Sequence, residues 1–572
     1  MPSLEHFRQR LSHVDALPQL VMLGILSGLT TGAVILLFRL AIELPQQWLL
    51  PAGISERFES LSSWQRFLFP LSGSLMLIAL LLTLPKMYRS VGIPHLLERL
   101  NYHQGHLSFV HLLVQFFGGA IALGSGHSVG REGPAVYLGG SCSSLIGQLL
   151  RLPNNTLRVL IGCGSAAAIA AVFNTPLAGV IFAMEVILLE YSILGFIPVI
   201  VAAVVADVLI QLTLGRVADL QLPDLPADIL PELPMLLLLG LGVGLVAAAF
   251  IFTLQQTLRL RQQPLWARLL TAGIIAGAVS MALPEVMGTG YDSIERLFHS
   301  STPLTLLFLL LLGKTLLTPF IIALGIPGGI IGPSLVIGGL GGALLANLAG
   351  QLGLDTSVDL FTIIGMGAMM GAILNAPLAA LIALLELTDN SAIILPGMLA
   401  IVVSNLTLRS LFKRPSAFQA ILQAQGLDLN QAPLAKALSR AAVGSLMERN
   451  LISTRAQVSA DALRQVLAEK PRWLLVEQGN TPVLMPPGDL ARWLEAQASD
   501  ANADAGPIDL LHIPAHRQQA VHIYSRATLL EAWQLMSSSG VSALLVVSNR
   551  DTPLGVVSRS QIEEYYNHKQ AL

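Results

Sequence analysis

The chain has 572 residues, of which 53% are apolar and only 12% are charged, about half the roughly 25% of an ordinary soluble domain. That composition, with a mean hydropathy of +0.67, excludes a disordered chain and a single soluble core, and points to a polytopic membrane protein. The balance of 33 Lys+Arg against 35 Asp+Glu excludes a strongly basic nucleic-acid binder.

Charge is unevenly placed. The stretch from Lys413 to Leu572 carries 29 charged residues in 160 positions, and the first 412 positions carry 39. A membrane unit to about residue 425, followed by a water-soluble tail, is therefore expected. The first 18 residues hold Arg8 and Arg10 and read as a short interfacial helix on the cytoplasmic side. They lack the basic start and immediate apolar run of a cleavable signal. Cys142 and Cys163 lie in Gly/Ser/Ala-rich stretches and read as buried thiols.

The first long apolar segment covers about 20–44. Others follow at 68–84, 108–123, 135–150, 157–190, 193–214, 233–255, 268–288, 303–324, 333–352, 358–387 and 392–412. Their lengths are uneven, and Gly and Pro interrupt many of them. Transporters and channels use such broken helices where backbone lines a cavity inside the membrane. A repeat supports this. Gly130-Arg-Glu-Gly-Pro134 returns as Gly329-Ile-Ile-Gly-Pro333 at an offset of 199, and Asn174-Thr-Pro-Leu-Ala178 returns as Asn375-Ala-Pro-Leu-Ala379 at an offset of 201. Two related halves of about 200 residues follow, and inverted halves are common in transporter folds. After residue 412 two shorter α/β units succeed one another, at 443–497 and 505–572. A polar linker, Ala498–Gly506, separates them.

Each Gly-X-X-Gly-Pro segment precedes an apolar run, with Pro in an early position, and so predicts a helix start. A helix start carries unpaired N–H groups and partial positive charge, and glycine lets an anion approach the backbone. Two such starts, one from each half, can converge on one anion. Glu132 lies between two glycines. An intramembrane carboxylate is costly and marks function. Being itself an anion, it can occupy the site as a tethered plug and leave on protonation. Lys314 is a second charge in an apolar run, read either as a source of positive potential for the pore or as a snorkelling side chain. His127 reads as a helix-packing residue or as a proton or anion contact.

These segments resemble a known family. Gly130-Arg-Glu-Gly-Pro134, Gly328-Gly-Ile-Ile-Gly-Pro333 and Gly92-Ile-Pro94, with longer blocks at 114–134, 173–185 and 388–396, are similar to the signature of the CLC chloride channels and proton-coupled chloride antiporters. The resemblance covers about residues 20–425. It implies an all-α membrane fold of some eighteen helices in two inverted halves, assembled as a homodimer in the plasma (inner) membrane. The tail resembles tandem CBS modules, which the family places in the cytoplasm. Carried over residue by residue, Glu132 falls on the external gate. Gly329, Ile330 and Ile331 fall on the central anion site, and Arg131 and Gly133 on the external one.

Three departures shape the expected function. Val91 stands where the family has a pore serine, and Phe418 where it has a pore tyrosine. Both side-chain hydroxyls are then missing, and selectivity follows the number and strength of coordinating dipoles. Coupled antiporters commonly carry an internal glutamate one residue after the position of Glu185; here that residue is Val186, which cannot carry a proton. The expectation from sequence is a passive chloride channel gated by Glu132. The alternative is a proton-coupled antiporter of chloride or fluoride, and an anion or nucleotide sensor is a third reading. In CBS modules that bind adenine nucleotides, a Ser/Thr and an Asp three residues on often meet the ligand. The matching pairs are Pro486 with Asp489 and Ser558 with Gln561. Each copy keeps half a pair, which leaves a nucleotide site and a dimer contact both open. No metal, cofactor or enzymatic constellation stands out.

Overall fold

A computed structural model describes residues 17–50, 56–191, 193–215, 232–299, 302–354, 356–428, 433–477, 482–498, 507–548 and 551–570. The expected helix at the extreme N-terminus lies largely outside the described residues, as does most of the 498–506 linker. The chain divides into a membrane unit, Leu17–Leu150 with Leu157–Leu429, and a smaller unit of Arg151–Thr156 with Asn430–Leu572.

The membrane unit is helical throughout. It opens with α1 (Leu17–Leu49), α2 (Ser63–Leu82), α3 (Ile93–Tyr102), α4 (Phe109–Gly124), α5 (Glu132–Leu149) and α6 (Asn154–Phe173). Next come α7 (Pro176–Phe182), α8 (Ile193–Leu214), α9 (Leu233–Leu258), α10 (Leu265–Ala282), α11 (Tyr291–His299) and α12 (Leu304–Leu324). It closes with α13 (Ile331–Gln351), α14 (Val358–Leu374), α15 (Pro377–Thr388), α16 (Ile394–Leu406) and α17 (Ala417–Gln423). Among the described residues, nine helices are long and apolar enough to cross a membrane. Their outward faces are apolar, as with Met22, Leu29 and Leu37 on α1 and Leu238 and Leu245 on α9. Such faces suit lipid contact. Between helices, small residues replace the hydrophobic drive that lipid removes. Gly24 and Gly28 of α1 meet α8 so closely that a methyl on either would lie within 2.6 Å of a backbone carbonyl, at Pro198 and Ala202.

The two longest apolar segments after α1 each resolve into two helices. The 157–190 run breaks at Asn174 (φ +55°) and the 358–387 run at Asn375 (φ +56°). Asn tolerates the left-handed backbone better than most residues, and the Pro two positions later starts the next helix. Beyond α7 the chain widens into a π-helical turn, Ala183–Leu188, that carries Glu185 and Val186.

This turn exposes the relation between the halves. Glu386, near the end of α15, accepts the N–H groups of Leu177 and Ala178 at the start of α7, at 2.9 and 2.6 Å. Glu185 accepts those of Leu378 and Ala379 at the start of α15, at 3.3 and 2.8 Å. One set of contacts maps onto the other through the 201-residue repeat, so each half caps a helix of its counterpart.

The smaller unit is α/β. It holds β1 (Leu451–Arg455), β2 (Gln457–Val458), β3 (Trp473–Glu477), β4 (Val483–Met485), β5 (Ile508–Asp509), β6 (Gln518–Gln519), β7 (His522–Tyr524), β8 (Ala543–Val547) and β9 (Pro553–Ser558). One sheet runs β1-β3-β4-β6, another β7-β8-β9, and β2 pairs with β5. In each of the larger sheets a parallel pair (β1 with β3, β7 with β8) is followed by an antiparallel hairpin. The sequence pattern showed both hairpins and missed the leading strands. Strand β1, LISTR, carries a single large aliphatic pair, and β7 is only three residues long.

Candidate functional site: two helix starts around a buried carboxylate

The two Gly-X-X-Gly-Pro segments meet. Gly130 and Gly329 form an isolated antiparallel bridge, donating to each other's carbonyls at 2.9 and 2.7 Å. A methyl on Gly133 would lie 2.5 Å from Gly329 Cα, so only glycine allows the backbones to touch. The bridge fixes the start of α5 against the start of α13.

Glu132 is the first residue of α5 and is fully buried. Its carboxylate turns onto the start of α13. Oε2 accepts the N–H of Gly332 at 3.1 Å, and Oε1 accepts the hydroxyl of Tyr291 at 2.9 Å. Gly332 makes this approach feasible, since a methyl there would lie 2.6 Å from Oε1. The carboxylate thus sits where a helix start offers N–H groups and positive potential to an anion. Ile330 and Ile331, the N-cap and first residue of α13, are buried beside it.

Tyr291 was not singled out from sequence. It opens α11 after Gly288-Thr-Gly290, where Gly288 and Gly290 both have positive φ, +59° and +91°. Phe173 packs its ring edge-to-face on Tyr291 at 6.4 Å between centroids. Lys314 explains the turn. It does not snorkel. It is fully buried, and its Nζ donates to the carbonyls of Val286, Gly288 and Thr289 at 3.1–3.2 Å. It pins the segment that presents Tyr291. The signal available in the sequence was two closely spaced glycines ahead of a tyrosine, together with an unassigned lysine some 20 residues on.

Beside this carboxylate, a cavity of about 600 Å³ is lined by Arg131, Tyr291, Glu56, Asp292, Arg39 and Arg296, among others. Both signs of charge meet there, and Arg131 links it to the α5 start as N-cap. His127 is fully buried, and its two ring nitrogens are within 2.9 and 3.1 Å of the Ser125 and Ser74 hydroxyls.

Val91 precedes Gly92, the N-cap of α3, and Phe418 is the second residue of α17, which packs against α3. The Glu185 carboxylate is engaged in capping α15, and Val186 beside it is buried. Cys142 and Cys163 are free and buried. In the smaller unit, Asp489 accepts the backbone N–H of His516 at 2.9 Å and pairs with Arg492 at 2.5 Å. Ser558 hydrogen-bonds Gln561 at the start of the last helix. Both side chains are engaged in local contacts.

Known proteins resemble this chain in sequence and in fold. A family model described as "Voltage gated chloride channel" matches residues 73–409, and a CBS-domain model matches 513–568. A protein of Ralstonia nicotianae, named for its likeness to the chloride channel protein ClcB, is 30% identical over 402 residues, covering 68% of this chain and 92% of that protein. The H+/Cl− exchange transporter ClcA of Vibrio cholerae is 34% identical over 297 residues, 50% of this chain and 64% of its own length. The crystal structure of a slow cyanobacterial Cl−/H+ antiporter superposes with a TM-score of 0.64 at 25% identity, covering 72% of this chain and 99% of that one. With the paired glycine helix starts, the buried Glu132 and a family match over more than half its length, the chain belongs to the voltage-gated chloride channel family, the CLC proteins.

Proposed function

We propose that this protein exchanges chloride for protons across a membrane, with Glu132 as the group that both blocks the anion site and carries the proton. The observation that carries this reading is the Glu132 carboxylate bound to the Gly332 N–H and the Tyr291 hydroxyl. An ionised carboxylate there is a tethered substitute for the transported anion. Protonation removes its charge, weakens its hold on the helix start and frees the site. One group thereby alternates between competing with the anion and holding a proton, which couples the two movements.

The channel reading suggested by Val186 has less support. The Vibrio relative is an H+/Cl− exchange transporter and the cyanobacterial neighbour a Cl−/H+ antiporter. On the exchange reading, protons reach Glu132 from inside without a carboxylate at position 186. The same reading takes the protein as a homodimer in the plasma membrane. Its N-terminus and a tandem CBS tail, 443–497 and 505–572, then lie in the cytoplasm.

The test is chloride-driven proton movement in proteoliposomes. An outward chloride gradient should acidify the interior as chloride leaves, and Glu132→Ala should abolish the proton signal while chloride still flows. Chloride flux with no proton movement in the unmodified protein would overturn the proposal.

A further inference from the structure

The connection between α9 and α10 carries positive charge for which the chain supplies no counter-charge. It begins with one turn of 3-10 helix, Arg259–Gln262, packed against α9, α10 and α12. Arg259 is exposed there, while Arg261 and, in the first turn of α10, Arg268 are half-buried. Arg261 and Arg268 lie close enough for their charges to interact. Among the described residues, no group accepts a hydrogen bond from these three guanidinium groups, and no carboxylate pairs with one. The Nε of Arg268 is also shut off from solvent without a partner. Arg268 Nη1 reaches the end of α12, 3.8 Å from a methyl built on Gly325, yet donates to no carbonyl there. Shielding a cation from water without pairing it is costly.

Arg414 adds a fourth cation. It donates to the Gln255 side chain at 2.6 Å and lies over the Phe252 ring. Both partners are neutral, and Gln255 is one turn before Arg259 on α9. Neither α9, α10, α12 nor the stretch from Ile394 to Gln423 contains an Asp or Glu, so the elements that hold the four cations offer them no acid. The location indicates what does. α9 and α10 are each long and apolar enough to cross a membrane, which puts their connection at a membrane surface. Leu260, between Arg259 and Arg261, is 42% exposed, and Trp266, two positions before Arg268, is 52% exposed. Exposed apolar and aromatic side chains interleaved with arginines suit the boundary between acyl chains and headgroups. A soluble anion would leave them in water.

We propose that the α9–α10 connection is a binding site for an anionic phospholipid. Arg261 and Arg268 hold the phosphate, for which the planar fork of donors on arginine is suited. Arg259 and Arg414 add to the positive potential, and Leu260 and Trp266 lie against the acyl chains. The proposal does not depend on whether chloride moves by exchange or through a pore.

The experiment titrates the full-length protein, in an uncharged detergent, with dioleoyl phosphatidylglycerol or dioleoyl phosphatidylcholine and counts bound lipid by native mass spectrometry. Phosphatidylglycerol should bind about tenfold more tightly or better, with the advantage shrinking as salt rises. Arg261→Gln combined with Arg268→Gln should weaken phosphatidylglycerol binding about twenty-five-fold, about fivefold for each cation lost. Arg261→Lys combined with Arg268→Lys, which keeps both charges, should weaken it less. Equal affinity for the two lipids, or an unchanged affinity in the double Gln variant, would overturn the proposal. Inorganic phosphate is added as a competitor. Displacement of phosphatidylglycerol by an equal concentration of phosphate would mark a site for a soluble anion and overturn the lipid assignment. Phosphatidylglycerol with a photoreactive acyl chain, cross-linked to the unmodified protein in vesicles, avoids dependence on variants that do not fold. Label within residues 259–268 supports the assignment, and label only elsewhere overturns it.

Discussion

Glu132 is held by a neutral hydroxyl, that of Tyr291, and a backbone amide, that of Gly332. That makes Tyr291 a latch. On the exchange proposal, Tyr291→Phe removes one of the two holds on the carboxylate and should raise chloride flux about tenfold, the worth of one hydrogen bond to a charged group. Flux assays on reconstituted protein check this, and unchanged flux would mean that the hydroxyl does not hold the carboxylate in place. Lys314→Met removes the donor from three carbonyls and should cost about 1–3 kcal/mol of stability. It should also raise flux in the same direction as Tyr291→Phe, by loosening the turn. Glu132 was legible in the sequence because a lone acid between glycines stands out in an apolar run. Tyr291 was not, because it lies 159 residues from the carboxylate it touches, and nothing local marks a tyrosine as a partner.

Helix starts and stops organise the next scale. Pro94, Pro176 and Pro377 begin helices, and Asn174 and Asn375 end them; the repeated Asn-X-Pro-Leu-Ala motif showed that the halves are related, while the breaks inside 157–190 and 358–387 went unread. The capping of each half by the other was not readable, since it depends on how the halves fold together. It gives Glu185 and Glu386 a physical role that their spacing alone did not reveal. Glu185→Gln and Glu386→Gln should each lower stability by about 0.5–2 kcal/mol, the range for a lost helix cap, and by similar amounts because the contacts are equivalent. Thermal unfolding of the purified protein in detergent reads this. A large loss in one variant with none in the other would contradict the equivalence. The sequence misjudged the smaller unit's leading strands for a related reason: short strands take their identity from the sheet they join.

At the scale of the whole molecule, the unequal charge density seen in the sequence separates two chemical environments. In the membrane unit, Glu132 lies at the paired helix starts, a mixed-charge cavity lies beside it, and Glu185 and Glu386 cap helices. The smaller unit carries ordinary surface electrostatics. There Asp489 is held below the usual carboxylate range, first by the backbone N–H and ring of His516 and then by the charge of Arg492. A depressed carboxyl stabilises the fold above its ordinary pKa, and that contribution fades as pH falls through the lowered value. Acid unfolding of this unit below about pH 4 should therefore be less steep in Asp489→Asn, as followed by circular dichroism; an unchanged slope would mean that Asp489 does not contribute. Coupling in the membrane unit is read from the reversal potential of the reconstituted protein, with equal chloride on both sides and a pH difference imposed across the bilayer. Exchange predicts a reversal potential displaced from zero, in the direction that changes sign when the pH difference is inverted. A reversal potential that stays at zero at every pH difference would contradict it and make the protein a passive chloride pore.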